Sequence, residues 1–277
     1  MSHILEAERS LQEARPAEAL QLLQDEVRTK PGDAKLRIFL FQLLSVLGQW
    51  QRALTQLNMA AELDPGALAM AQMYREALRC EALRAQVFAG KKSPMVFGEP
   101  EVWLALLIES MLRAGLGEMQ QSKDLSQKAF ESAPASGGML NDERFEWIAD
   151  ADMRLGPVLE AIINGHYYWV PFMHLTRIDI EPPVDLRDLV WMPAHLQFVN
   201  GGESVALIPT RYPGSETSTD GSILLARKTQ WEEQSPGMFH GSGQRILTTD
   251  TREASLLEVR SITIDSPVQA DVSAGTA

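Results

Sequence analysis

The sequence predicts an α+β protein, an α–α superhelix followed by a smaller mixed helix and β-sheet domain of barrel-like character. Three observations carry this. Apolar residues recur at helical spacing through residues 3–132. Within that stretch residues repeat at an interval of 34: Pro31 and Pro65, Ala19 and Ala53, Leu23 and Leu57. Beyond Gly165 the segments shorten, gain β-branched and aromatic side chains, and are separated by Pro or Gly.

The second repeat is the clearer one. Leu40, Leu44, Gly48, Trp50, Ala53, Leu57, Ala60 and Pro65 resemble the tetratricopeptide repeat, a helix–turn–helix of 34 residues. Gly48 suits the left-handed end of a helix. Ala53 and Ala60 share a face and let helices approach closely. Pro31 and Pro65 cannot continue a helix. The first copy is degenerate, with Ala14 for the glycine and Pro16 for the aromatic residue. After Pro65 the spacing fails, because Glu99 stands at the next step. Two helix pairs are expected, then a long helix near 67–89 and helices near 100–115 and 118–132. A stable stack normally needs three repeats, so this half is expected to lean on the second domain. Generic helical hairpins give the same pattern. Either way the half reads as a scaffold with a groove, with Cys80 a small core residue and Lys91-Lys92 a solvated point in a loop.

Ala135-Ser136-Gly137-Gly138 marks a joint. The expected division is a helical scaffold at 1–135, an α+β domain at 140–265 and a solvated tail at 266–277. Asn141 or Asp142 can cap a helix whose stripe is Phe145, Ile148 and Ala149. Leu155-Gly156-Pro157 is expected to break and restart that helix, which Val158–Ile163 continue to Gly165. Strands are expected at Tyr167–Phe172, Leu175–Ile180, Gln197–Val199, Val205–Ile208, Ile223–Arg227 and Leu256–Ile264.

Charge separates the halves further. The net charge is −12; residues 1–135 carry 15 Lys and Arg against 17 Asp and Glu, and residues 136–277 carry 10 against 20. A field of that sign disfavours nucleic acid and favours basic or apolar partners. No apolar run approaches the ~20 residues of a membrane span. The start of the chain, with Glu6 and Glu8, does not read as a signal peptide. One cysteine allows neither an internal disulfide nor a cysteine-based zinc site. A cytoplasmic protein is expected.

The second half holds the distinctive segments. They are Phe145-Glu146-Trp147-Ile148-Ala149-Asp150-Ala151-Asp152 with Arg154-Leu155-Gly156-Pro157, Tyr167-Tyr168-Trp169-Val170-Pro171-Phe172, and Asp185 to Trp191. Further on come Ile208-Pro209-Thr210-Arg211-Tyr212-Pro213-Gly214-Ser215-Glu216, Leu225 to Thr229 with Trp231, and Gly243-Gln244-Arg245. In this order they resemble the ImpE/TagJ (SciE-type) accessory proteins of bacterial type VI secretion systems, over roughly residues 1–264. The resemblance implies a non-enzymatic adaptor in sheath turnover. It implies binding of the N-terminal amphipathic helix of the small sheath subunit, TssB, and in some systems association with the disassembly ATPase ClpV.

Arg154, Arg187, Arg211, Arg227 and Arg245 lie in segments rich in Asp, Trp or Tyr. With Trp169, Trp191 and Tyr212 they are the structural or partner-binding candidates. An arginine fork pairs with carboxylates and stacks on aromatics. An internal Arg–carboxylate network is expected, with Arg211 and Arg227 paired to acids; anion or peptide recognition is the alternative. Asp150 and Asp152 read as ion-pair partners rather than, with His166, as metal ligands. Ser215 after Gly214 mimics a catalytic loop, but no local histidine and no Gly-x-Ser-x-Gly supports it. No catalytic, cofactor-binding or metal residue is therefore expected. A general co-chaperone or assembly scaffold, and a hydrolase using the Asp, Arg and Tyr residues of the second half, are the competing functions.

Overall fold

The computed structural model describes residues 3–99 and 101–265; the expected tail at 266–277 lies outside them. The first half is helical: α1 (His3–Gln12), α2 (Pro16–Thr29), α3 (Ala34–Val46), α4 (Trp50–Leu63), α5 (Leu68–Phe88), α6 (Val102–Gly115) and α7 (Met119–Ser132). α1 packs on α2, α3 on α4 and α6 on α7, each pair joined by a three-residue turn. Local chemistry sets the ends. Pro16 opens α2, and the Asp33 carboxylate accepts the Lys35 and Leu36 amides at the start of α3. Gly48 turns the chain at φ 64°, and its missing side chain also makes room for Glu216 of the second half, whose Cβ stands 2.6 Å from where a Gly48 Cβ would lie.

The residues related by 34 occupy matched places: Ala19, Ala53, Leu23 and Leu57 are all 0% exposed. Ala53→Trp is accordingly expected to overpack the α3–α4 contact and cost about 1–3 kcal/mol or more. Urea unfolding at an unchanged m-value checks it; an unaltered midpoint would remove Ala53 from the helix contact.

The second half is built on strands. They are β1 (Met95–Val96), lent by the segment before α6, then β2 (Gly138–Leu140), β3 (Glu143–Phe145), β4 (Ile148–Asp150), β5 (Val158–Ile163), β6 (His166–Pro171), β7 (Leu175–Ile180), β8 (Trp191–Phe198), β9 (Glu203–Pro209), β10 (Thr229–Ser235), β11 (Met238–Gly243), β12 (Ile246–Thr249), β13 (Glu253–Ser255) and β14 (Ser261–Ile264). A nine-stranded sheet runs β1-β6-β5-β9-β8-β7-β14-β2-β3, antiparallel except for the β1–β6 edge. β13-β12-β4 form a smaller sheet and β10-β11 a hairpin.

The helix expected from Asn141 to Ile163 is replaced by β3, β4 and β5. All six residues of β5 are buried. A strand covered on both faces has no polar alternation, and its apolar run looks like a helix in sequence. The strand expected at Ile223–Arg227 begins instead as a one-turn helix, α8 (Gly221–Leu224), because the Asp220 carboxylate accepts the Ser222 amide and caps it. Leu256–Ile264 divides into a short 3-10 turn and β14, and Gln197–Val199 proves to be the end of the longer β8.

Two cores result. One lies within the sheet domain, around Phe172, Ile178, Leu196 and Ile208. The other is shared, joining helix residues such as Leu23, Phe41, Leu57 and Leu107 to Val158, Ile162, Trp169, Trp191 and Leu225. The helices do lean on the second half. Trp191 inserts between Tyr74 and Trp50 at ring distances of 5.8 and 5.9 Å, and Trp169 meets Phe88 at 6.1 Å. The inner side of the helices is filled by the chain's own sheet.

Candidate functional site

The buried charges converge where α5 crosses the sheet. Glu81 and Arg84 sit one turn apart on α5. Glu160 is the single charged residue in β5, and Asp150 ends β4. Arg245 follows the β10–β11 hairpin and is fully buried. Arg84 Nε and Nη2 grip the Glu160 carboxylate at 2.7 and 3.0 Å. Arg245 donates Nη1 to Asp150 and Nη2 to Glu160, and its Nε to the Pro209 carbonyl at 2.8 Å. Tyr167 donates to Glu160 at 2.5 Å and receives the Trp169 indole N–H at 2.9 Å. Trp191 donates to Glu81 at 2.8 Å. Tyr212 donates to Asp150 at 3.1 Å. Asp152 takes Arg154 Nε at 2.8 Å and the Gly241 amide at 2.7 Å.

Burial alone would raise the Glu160 carboxyl, but the charges of Arg84 and Arg245 and the bonds from Arg84 and Tyr167 bring it down to about 2. Burial likewise opposes the Asp152 charge, and Arg154 overrides it, leaving Asp152 below the ordinary range. At Asp150 burial prevails over Arg245, with the neighbouring Asp152 adding to it, and lifts the carboxyl to about 6. An acid whose native pKa lies below its unfolded value stabilises the fold above the unfolded value and loses that contribution as pH falls through the native one. Glu160 therefore steepens the loss of stability between pH 4.5 and about 2. Asp150 has the opposite sign and slopes stability downward from pH 3.8 to about 6. Urea unfolding across pH 2–7 is expected to show a steep acid limb that Glu160→Gln flattens.

The expected network of arginines and carboxylates exists, but its membership differs. Arg154, Arg187 and Arg245 pair with Asp152, Asp185, and Asp150 plus Glu160 respectively. Arg187 also lies over the Tyr74 ring at 4.8 Å. Among the described residues Arg211 and Arg227 form no salt bridge. Arg211 Nη1 donates to the Val46 and Leu224 carbonyls at 2.8 and 2.5 Å. Arg227 Nη1 donates to the Gln12 carbonyl at 2.8 Å. Val46 and Gln12 are the last residues of α3 and α1, where unpaired carbonyls and the negative end of the helix dipole attract a cation. Burial holds the Arg211 guanidinium down to about 10. Trp169, Trp191, Tyr212 and Arg245 are each 0% exposed, and Arg227 alone among the eight candidates is exposed.

Arg84, Glu81 and Glu160 were not singled out in the sequence. The signal was present in an acid inside the apolar run of residues 158–163 and in an acid–base pair three apart on the long helix. Asp150 and Asp152 are the ion-pair partners expected, though on a strand and its following turn. Among the described residues no group of three His, Cys, Asp or Glu is placed to hold a metal. No helix among them is long and apolar enough to cross a membrane.

Residues 142–263 match the family model described as ImpE protein. The chain is also 45% identical, over 92% of its length and 90% of the relative's, to the type VI secretion system accessory component TagJ of Pseudomonas aeruginosa. The chain belongs to the ImpE/TagJ family. The fold is that of the crystal structure of protein VPA1032 from Vibrio parahaemolyticus, with a TM-score of 0.86, 24% identity, and coverage of 95% of this chain and 98% of that one. This family comprises accessory components of type VI secretion rather than enzymes. The ImpE match begins in the sheet domain and spans Asp150, Glu160 and Arg245, while Glu81 and Arg84 of the charged centre lie on α5, outside it.

Proposed function

We propose that this protein is a cytoplasmic adaptor of a type VI secretion system that binds the N-terminal helix of the small sheath subunit, TssB, and links it to the ClpV disassembly ATPase. The observation that carries this reading is the 45% identity to TagJ over nearly the whole chain. The chemistry of the centre supports a binding role. Glu81, Glu160, Asp150 and Asp152 are buried and each faces an arginine within the protein, so their charges are committed to internal pairing. In this reading Arg154, Arg187, Arg211, Arg245, Trp169, Trp191 and Tyr212 hold the two halves in register, and partner contact falls to exposed surfaces. Titrating the full chain with purified TssB by calorimetry, with and without the first ~25 residues of TssB, tests it. Saturable binding lost with those residues is expected; equal binding of the truncated subunit would move the contact elsewhere on TssB. Adding ClpV to the preformed pair tests the second link.

A further inference from the structure

The β10–β11 hairpin has one closed edge and one open edge. On β11 the outward main-chain groups belong to Phe239, Gly241 and Gly243. The Gly241 amide donates to Asp152 at 2.7 Å and the Gly243 amide to Ser215 at 2.8 Å. The Phe239 carbonyl accepts the Met153 amide at 3.4 Å, and the Gly243 carbonyl accepts the Tyr212 amide at 2.9 Å. In an antiparallel pair, residues directly opposite are either both bonded across the pair or both turned away from it. Trp231 stands opposite Gly241 and Glu233 opposite Phe239. The N–H and C=O groups of Trp231 and Glu233 are therefore turned outward too. β10 has no strand on that side. Among the described residues no other element bonds to these main-chain groups.

Open strand edges are ordinarily blocked by lysine, proline or a bulge. Here the bulge comes only after Glu233, and Pro236 lies in the turn. Residues 230–234 are all exposed. One face of the strand carries Trp231, whose ring lies 5.5 Å from that of Tyr212. Gly241 makes room for this packing, since a Cβ there would sit 2.3 Å from Tyr212 Cδ2. Trp231 is still 37% exposed and Phe239 40%. The other face carries Glu232. Residues 229–243 hold two glutamates and no lysine or arginine. Among the described residues neither glutamate is in a salt bridge. Lys228, beside the strand in sequence, is held by Asp220, and Lys123, at the hairpin tip, by the Pro236 carbonyl. Arg154, against the β11 edge, is paired with Asp152.

We propose that the β10 edge receives an extended basic segment of a partner protein as a third strand. Its main chain bonds to Trp231 and Glu233, an apolar side chain lies against Trp231, and a lysine or arginine stands opposite Glu232. At such an edge main-chain bonds supply affinity and alternate side chains supply choice. A second copy paired antiparallel about Glu232 would set like charges face to face, which is destabilising. This site calls for a ligand in strand conformation and stands apart from the helix-binding reading above.

The test uses the full chain and a capped peptide of about seven residues, the length of β10, alternating valine and lysine. It is made in two isomers of equal charge and composition. One is N-methylated on its lysines, which leaves free the valine N–H groups that face β10 when the valines lie on the Trp231 side. The other is N-methylated on its valines. Saturable binding of the first isomer is expected, with slowed exchange of the Trp231 and Glu233 amides by NMR. The second isomer is expected to bind about tenfold more weakly or worse, having lost its main-chain donors. Glu232→Lys, with its fold verified by circular dichroism, is expected to weaken the first isomer similarly. Glu62→Lys, an exposed change of the same charge on α4, is expected to have no such effect. Absence of binding, or equal binding of the two isomers, overturns the proposal, the latter because charge attraction alone would then account for it. Self-association of the chain in sedimentation that protects the same two amides would give the edge to a second copy and overturn it as well.

Discussion

Arg245→Met is expected to destabilise the protein by about 3–5 kcal/mol, the usual cost of removing one partner from a buried ion pair. Two carboxylates lose their common cation at once, since Arg245 bridges Asp150 and Glu160 with all three side chains excluded from water. Arg84 still grips Glu160, so Asp150 is left the more exposed electrostatically, with Tyr212 and the Asp152 amide as its remaining donors. Thermal unfolding is expected to fall by on the order of 10 °C for a chain of this size. Methionine matches the aliphatic stem, so the loss reports charge rather than volume. Adding Asp150→Asn to Arg245→Met is expected to recover part of the stability, because a neutral amide costs less to bury than an unpaired acid. A single variant as stable as wild type would show that water reaches the centre.

Gly243→Ala carries the second large effect, through the backbone. Gly243 lies at φ 88°, and a Cβ there would sit 2.0 Å from the Lys228 carbonyl oxygen and 2.9 Å from Ile223. Its amide donates to Ser215 at 2.8 Å and its carbonyl accepts the Tyr212 amide at 2.9 Å, so the turn cannot shift without releasing both. Left-handed strain of about 1–2 kcal/mol and overpacking of about 1–3 kcal/mol together place the expected loss near 2–5 kcal/mol. Chemical denaturation measures it. Gly237→Ala is the control: also at positive φ, on the hairpin tip, with nothing within 4 Å of its Cβ position. It is expected to lose the strain alone.

The helical half was legible because its signals are local. Small residues at 19, 53 and 60, breakers at 31, 48 and 65, and a three-to-four spacing report helix contacts directly. The segment from 141 to 163 was misread for the opposite reason. Its strands are short or wholly buried, and what makes them strands is pairing with residues 206–207 and 247–249, distant in sequence. The arginines show the same division. Arg154 and Arg187 have acids two residues away, and their pairing could be read from the chain. Arg211 and Arg227 face main-chain carbonyls, which every residue possesses and no sequence pattern marks.

The arginine contacts at the ends of α1 and α3 also bear on how the chain is made. Arg227 reaches back 215 positions to Gln12, and Arg211 reaches back 165 to Val46. During synthesis the first helices leave the ribosome long before the residues that finish them exist. Their inner faces stay uncovered until the sheet arrives. Ordering such remote contacts is slow, and the waiting apolar surface is the kind that chaperones hold. The amino-terminal half is thus expected to gain its full cover only once its carboxy-terminal counterpart has been made, since the two share a core.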